Sequence, residues 1–363
     1  MNWIYQRWWK WLCAALLVYV LIGSFFIPLG PGITKVHPSI IYADTSYVIR
    51  ITGFNTHFTS HKVGKLQLWF KNKSRFYSPI SLQVLDNKTL SATFGLSQFQ
   101  AKDLGSSNFD VVINDDVDGT FSLRDALVLV KTTREDSSFK SGATLSIPEV
   151  NNNKHNLTCF PYREILYETI RNTFFHVPMW FVMTMLVFAS FIWSILFLIK
   201  GDPKWDMYAH QSVIVALVFS ACGYFTGLVW AKYTWYIGVD WLDVIMKLLL
   251  EDIKMAAALV AIIFYVAYMV IRNSFADKKK ITRIAAMFNV VAFVVFIFCV
   301  FVLPRLTDSM HPGNGGNPAF SKYDLDSTLR MFFYPAVIGW ILLGFWFLSI
   351  LIRMQLIHQK QIK

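Results

Sequence analysis

The chain has 363 residues, of which 55% are hydrophobic and 16% charged, and it carries a formal net charge of +11. That balance is too apolar for an ordinary soluble protein and too poor in charge for a disordered one. A spanning helix needs about 20 mostly apolar residues, and six stretches supply them: 11–28, 178–199, 211–230, 255–271, 284–303 and 333–352.

The first stretch follows Arg7 and Lys10 and is followed by "FFIPLGPG". A cleavable signal peptide ends in a small-x-small site, which is missing there, so residues 1–32 read as a retained transmembrane anchor.

Residues 33–150 differ in kind. "SYVIRITG", "KLQLWFK", "ISLQVLDNKTLSATF" and "FDVVINDD" are short, rich in β-branched and aromatic residues, and broken by Gly, Asn or Asp. They predict strands. "LDNKTL" predicts a hairpin turn, with Leu82 and Val84 before it and Leu90, Ala92 and Phe94 after it. Strands at this spacing suggest a small all-β sandwich. "ITKVHPS" and "SYVIRITGFNTHFT" also resemble the start of the immunoglobulin-like TIG/IPT modules. "SSFKSGATLSIPEVNNNKHN" (137–156) has linker composition, and residues 151–176 form the linker and outer loop leading back to the apolar stretches.

Residues 177–363 hold the other five spans. Lysine and arginine placement gives the orientation. With the N-terminus inside, the short inside segments carry Arg7, Lys10, Lys200, Lys204, Arg272, Lys278, Lys279, Lys280, Arg283, Arg353, Lys360 and Lys363. The outside loops are longer, poorer in basic residues and richer in acids. Both termini then lie in the cytoplasm, and the β-domain lies outside. "DKKK" (277–280) reads as a topology anchor, not as a nucleic-acid site. Cys13, Cys222 and Cys299 fall in spans and only Cys159 lies outside, so there is no disulfide framework and no C-x-x-C motif.

Of the histidines, only His176 and His311 fall outside and close to the membrane. His176 opens the second span in "RNTFFHVPMW", and His311 follows the fifth in "LPRLTDSMHPGNGG". Singly, a histidine near an interface is most often a surface residue. Two on one face can act as axial ligands of a haem iron. Between them runs "WAKYTWYIGVDWLDVIMKLLLEDIKM" (230–255), dense in aromatics at Trp230, Tyr233, Trp235, Tyr236 and Trp241. The plain reading of these is an interfacial aromatic belt. Within 240–254, however, Trp241, Val244, Ile245, Leu248 and Leu249 recur at helical spacing opposite Asp240, Asp243, Lys247, Glu251 and Lys254. That predicts a helix too short to span, lying flat with its apolar face down and offering a platform for a porphyrin.

From about 163 to 353 the chain resembles the CcmC/CcsA-type haem-handling membrane proteins of cytochrome c assembly. The resemblance rests on "ETIRNTFFHVPMW", "GLVWAKYTW", "LPRLTDSMHPG" and "MFFYPAVIGWILLG". It implies six transmembrane helices, a tryptophan-rich outside segment, and His176 and His311 as the two iron ligands. It also implies haem b as a transferred ligand, not a resident catalyst. The implied setting is a bacterial cytoplasmic membrane with the β-domain in the periplasm. The implied partners are a haem chaperone, other cytochrome c maturation subunits, an ABC-type transporter and membrane lipid.

The family's W-G-x-x-W-x-W-D-x-[RK] segment is altered here. Trp235 matches its first tryptophan, and the acidic-x-basic ending comes late, at Asp252 and Lys254. The cofactor-binding set expected on this basis is His176, His311, Trp230, Trp235, Trp241, Asp252, Lys254 and Arg305, with Arg305 and Lys254 facing the propionates. No bond-making step is implied, so the chain reads as a binding and transfer protein and not as an enzyme. Two other classes stand beside it. An electron-transferring b-type cytochrome wants histidines at mid-depth on facing helices, and a receptor acting through its β-domain makes the histidines incidental.

Overall fold

In the computed structural model the described residues are 2–42, 46–60, 65–72, 75–94, 107–130, 159–163, 166–274, 277–306 and 325–361. They fall into two compact units, one made of Met1–Ile27 with Glu168–Lys363 and the other of Pro28–Tyr167.

The first unit is helical: α1 (Asn2–Phe26), α2 (His176–Lys200), α3 (Pro203–Thr234), α4 (Trp241–Glu251), α5 (Ile253–Asn273), α6 (Lys278–Ile297) and α7 (Ser327–Gln361). All but α4 are long and apolar enough to cross a membrane. Large apolar side chains such as Phe225, Val270 and Val294 stand exposed on their outer faces. Such surface is stable against lipid and not against water, so this is a multi-pass membrane protein.

The helices outrun the apolar stretches because capping residues, not hydropathy, set their ends. Gly201 adopts φ 68° and ends α2 with its N–H on the Phe197 carbonyl at 2.8 Å. Asp202 then caps α3, with Pro203 in the first turn where a missing N–H costs nothing. Asp277 caps α6 by accepting from the N–H groups of Lys279 and Lys280. Beyond Ile297, α6 continues through a π-helical turn (Phe298–Val302) and a 3-10 turn at Leu303–Arg305, where Pro304 stops it.

α1 lies antiparallel to α7. Trp9 meets Trp346 edge-on at 6.3 Å, the Cys13 thiol faces the Gly339 carbonyl, and Tyr19 stacks on Phe332 at 4.8 Å. Pro335 inside α7 has no N–H for the Met331 carbonyl four residues back, and the Tyr19 hydroxyl donates to that carbonyl over a long 3.4 Å. Close approach depends on glycine. A Cβ on Gly23 would lie 2.0 Å from the Phe332 ring, and one on Gly339 would press on Leu16 and Leu17. α2 is the centre of the bundle, packing against α3, α6 and α7 through Met179, Val182, Met183, Leu186 and Val187.

The second unit is all-β. One sheet has the order β1-β3-β7-β6 and the other β2-β9-β8-β4-β5. The strands are β1 (Gly32–His37), β2 (Ile40–Tyr42), β3 (Tyr47–Phe54), β4 (Gln67–Asn72), β5 (Arg75–Tyr77), β6 (Ser81–Asp86), β7 (Thr89–Phe94), β8 (Ser107–Asp115) and β9 (Gly119–Val130). β2 runs parallel to β9, and every other pairing is antiparallel. The two sheets share one core. Ile49, Ile51, Leu90, Ala92 and Phe94 from the first meet Leu68, Phe70, Phe109, Val111 and Leu127 from the second.

The "LDNKTL" turn falls at Asn87–Lys88, with Asp86 opposite Thr89. Leu90, Ala92 and Phe94 point inward, as strand alternation requires. The Asp86 carboxylate is held below its usual range first by the N–H of Lys88.

Two outcomes are expected. Residues 28–167, expressed alone, should give a sheet spectrum by far-ultraviolet circular dichroism with a cooperative melt, because their apolar core is internal to the unit. A disordered spectrum would contradict that. Gly23→Ala should destabilise the α1–α7 contact by about 1–3 kcal/mol through overpacking, read as a lowered midpoint of thermal unfolding in detergent.

Candidate functional site

The site is built where α2 begins. "TFFHVPMW" places Pro178 in the first turn of α2, where helices tolerate it, so His176 is the first helical residue. A 3-10 stretch, Tyr167–Phe174, delivers the chain to that point.

Three helices hold this stretch. Arg171 donates from Nη1 to the Ser24 and Ile27 carbonyls at 2.6 and 2.7 Å, capping the C-terminal end of α1, and its Nε pairs with Glu168. A cation is favoured at that end by the helix dipole. Asn172 donates to the Thr226 carbonyl of α3 at 2.9 Å. Trp340 of α7 donates its indole N–H to the Phe174 carbonyl at 3.1 Å.

The His176 side chain is 7% exposed. Its Nδ1 lies 2.9 Å from the Gly223 carbonyl and 3.3 Å from Thr226 Oγ1. A carbonyl can only accept, so Nδ1 carries the proton and the lone pair resides on Nε2. Thr226 is itself anchored to the Cys222 carbonyl at 2.8 Å. Gly227 has no side chain where the ring sits, since a Cβ there would be 2.8 Å from His176 Cε1. Gly223 likewise faces Met179 and Trp180 closely. Two indoles stand edge-on to the imidazole, Trp230 at 5.6 Å and Trp180 at 6.3 Å. Trp230 is oriented by donating to Thr169 Oγ1 at 3.2 Å, and Thr169 in turn meets the Thr234 hydroxyl at 2.9 Å.

Of the residues expected from sequence, His176 and Trp230 come together. Trp235 belongs to a neighbouring apolar cluster with Ala231, Tyr236, Val244, Leu248 and Met255. Burial, then Glu251 and Asp252, push the Tyr236 phenol up. Trp241 is 44% exposed, with Lys232 Nζ 5.9 Å from its ring and Tyr233 edge-on at 6.4 Å. Asp252 is 1% exposed and accepts from the N–H groups of Lys254 and Met255, both at 3.0 Å. Its carboxylate is thus the N-cap of α5. Arg305 is exposed and donates to the Phe301 carbonyl at 2.8 Å. His311 lies outside the described residues.

The short helix expected over 240–254 is α4, two differences apart. It ends at Glu251 because Asp252 caps α5 and adopts an extended backbone. Its Val244–Leu248 face packs on the protein, against Ala231 and Met255. The exposed apolar stripe is a different one: Leu242, Met246 and Leu250.

The sequence reading missed Gly223, Thr226 and Gly227. "GYFTG" (223–227) carried the signal, since a G-x-x-x-G in an apolar helix marks close helix approach. A scan against models of known protein families finds no match for the chain. A search of curated protein sequences also finds none.

Gly227→Ala should displace the imidazole, because a ring atom 2.8 Å from the new Cβ cannot swing aside as a flexible chain end does. Overpacking of this kind costs about 1–3 kcal/mol. Thermal unfolding should show the loss, and an unchanged midpoint would mean that the ring is not held against α3.

Proposed function

We propose that the chain binds haem b as cargo at the end of the bundle where His176 lies, and hands it on toward c-type cytochrome assembly. The observation that carries this reading is the commitment of His176 Nδ1 to the Gly223 carbonyl at 2.9 Å. Such a second bond fixes the tautomer and ring plane of a ligating histidine and raises its basicity. The glycine at 227 adds room beside the ring, and Trp230 and Trp180 wall it.

The donor set fits this cargo. Among the described residues no three His, Cys, Asp or Glu side chains gather as a metal cage. A single imidazole suits an iron that brings four porphyrin nitrogens with it. Haem would bring an iron able to take an imidazole, and His176 would hold it, with Trp230 and Trp180 as aromatic walls in a low-dielectric surround. His311 is assigned as second ligand on the sequence alone. Trp235, Trp241 and the Arg305 guanidinium are offered as outer contacts, and Arg305 keeps further N–H donors beyond the one given to Phe301. Asp252 and Lys254 contribute through the α4–α5 corner, where the Asp252 carboxylate caps α5 and the Lys254 N–H donates to it.

The wider reading follows the CcmC/CcsA-type resemblance of residues 163–353. The termini lie on the cytoplasmic side of a bacterial membrane, and the β-unit lies on the other face, where a haem chaperone and maturation subunits would meet it. For the β-unit we propose an immunoglobulin-like module. Its first strand divides between the sheets, giving β1-β3-β7-β6 and β2-β9-β8-β4-β5. The A-B-E-D and G-F-C strand order described for such sandwiches supports this reading.

The test is spectroscopic. Full-length protein purified with haem supplied should show a b-type absorption spectrum. His176→Ala should lower bound haem by roughly tenfold or more, since losing even an outer-shell partner of a metal ligand costs about that much, with unchanged membrane insertion. His358→Ala, at the exposed end of α7, should leave haem content alone. Normal haem content in the His176 variant would overturn the reading.

A further inference from the structure

A second set of polar groups lies inside the bundle, toward the opposite helix ends. It begins at an ion pair: Arg272, in the last turn of α5, grips both carboxylate oxygens of Asp206 in the first turn of α3, with Nη1 to Oδ1 at 2.7 Å. The Tyr268 hydroxyl accepts from the same Arg272 Nη1 at 3.4 Å. One turn further along α3 from Asp206 comes His210, whose Nδ1 is buried with no partner among the described residues. Tyr265 of α5 follows, 0% exposed, and its hydroxyl likewise finds no partner among them.

Deepest is Asn289 of α6, also 0% exposed. Its Nδ2 donates to Ser190 Oγ at 2.7 Å and to Ser194 Oγ at 2.8 Å, and Ser190 donates to the Ala209 carbonyl at 2.8 Å. Among the described residues Asn289 Oδ1 is left without a donor. At 1.5 Å of rise per residue, counted from the helix ends nearest Arg272, His210 lies roughly 10 Å in, Tyr265 about 12 Å, Ser190 about 15 Å and Asn289 about 16 Å. The hydrocarbon core is about 30 Å thick, so this ladder climbs from one surface to the middle.

Interhelical polar contacts serve as glue in many membrane proteins, and the Asn289–Ser190–Ser194 node alone would be read so. Glue satisfies its members. Here an amide oxygen, a phenol and an imidazole nitrogen, on three different helices and at graded depths, are each buried without a partner among the described residues. Leaving one such group unpaired in an apolar medium is costly, and native proteins complete such groups with internal water. We infer that α2, α3, α5 and α6 enclose a water-binding inlet that enters beside the Arg272–Asp206 pair and ends at Asn289. Its ligand is a file of ordered waters, each donating to or accepting from one of these groups. This carries water, and the protons it relays, to mid-bundle from the end opposite His176. The inlet does not depend on the haem reading.

Hydroxyl-radical labelling tests it. X-ray pulses on the full chain in lipid nanodiscs create radicals from whatever water lies beside a side chain, and mass spectrometry reads the oxidation. Tyr265 should label at least tenfold faster than Phe70 and Phe333, two aromatic rings buried among apolar side chains. Asn289→Leu should reduce the Tyr265 rate severalfold, with unchanged Phe333 labelling reporting an intact bundle. A Tyr265 rate in the native chain no higher than that of Phe70 would overturn the inlet. Labelling that reaches Tyr268 and His210 but stops short of Tyr265 would overturn it equally, because the waters would then belong only to the surface ion pair.

Discussion

The helical unit depends on a stretch of backbone that is not α-helical. Residues just before His176 leave α-helical pairing at the end of an apolar bundle, so their polar groups and those of nearby helix ends need partners, and the protein supplies them. Arg171 completes the last carbonyls of α1, Asn172 reaches an α3 carbonyl, and Trp340 of α7 donates to Phe174. One short segment thereby ties three helices and sets the position of α2, and with it the plane of the His176 ring. The same rule explains why Tyr19 turns its hydroxyl to the carbonyl that Pro335 leaves open.

Contact distance is the second constraint. Lipid offers no hydrophobic push between helices, so their association relies on packing and on small residues that let backbones approach. Gly23 and Gly339 serve the α1–α7 contact, Gly227 receives the imidazole, and Gly344 admits Val182 of α2. At these places a single methyl group is a steric matter and not a hydropathic one. That is why hydropathy alone marks the spans yet says nothing of which helix touches which.

This also decides how much was legible beforehand. The spans and the short helix after Trp241 follow from period and length, and strands β3, β4, β6, β7 and β8 follow from alternation. β9, the longest strand, escaped because its outward residues include Arg124 and Asp125, and because a register shift lies between Phe109 and Val111 on its partner β8. The α4–α5 break was placed late, because Asp252 reads as a charge on an amphipathic face until its side chain is seen accepting two backbone N–H groups. At the site, His176 and Trp230 were legible by type and place. Gly223, Thr226 and Gly227 were not, since their contribution is an acceptor carbonyl, an anchoring hydroxyl and the absence of a side chain.

α4 shows how such contributions combine. Eleven residues carry three stripes: Val244 and Leu248 against the protein, Leu242, Met246 and Leu250 exposed and apolar, and Asp243, Lys247 and Glu251 in a narrow polar line. A helix in water would not keep the second stripe, and one in hydrocarbon would not keep the third. The distribution requires a boundary, with protein on one side, acyl chains on another and water on the last. Tyr236 marks the same boundary, its phenol pushed up by burial beside Glu251 and Asp252 while Lys247 lies 5.8 Å over its ring. The turn from α3 into α4 therefore sits at the membrane's edge for electrostatic reasons as well as apolar ones, and its height fixes that of Trp230, on the last turns of α3, beside His176.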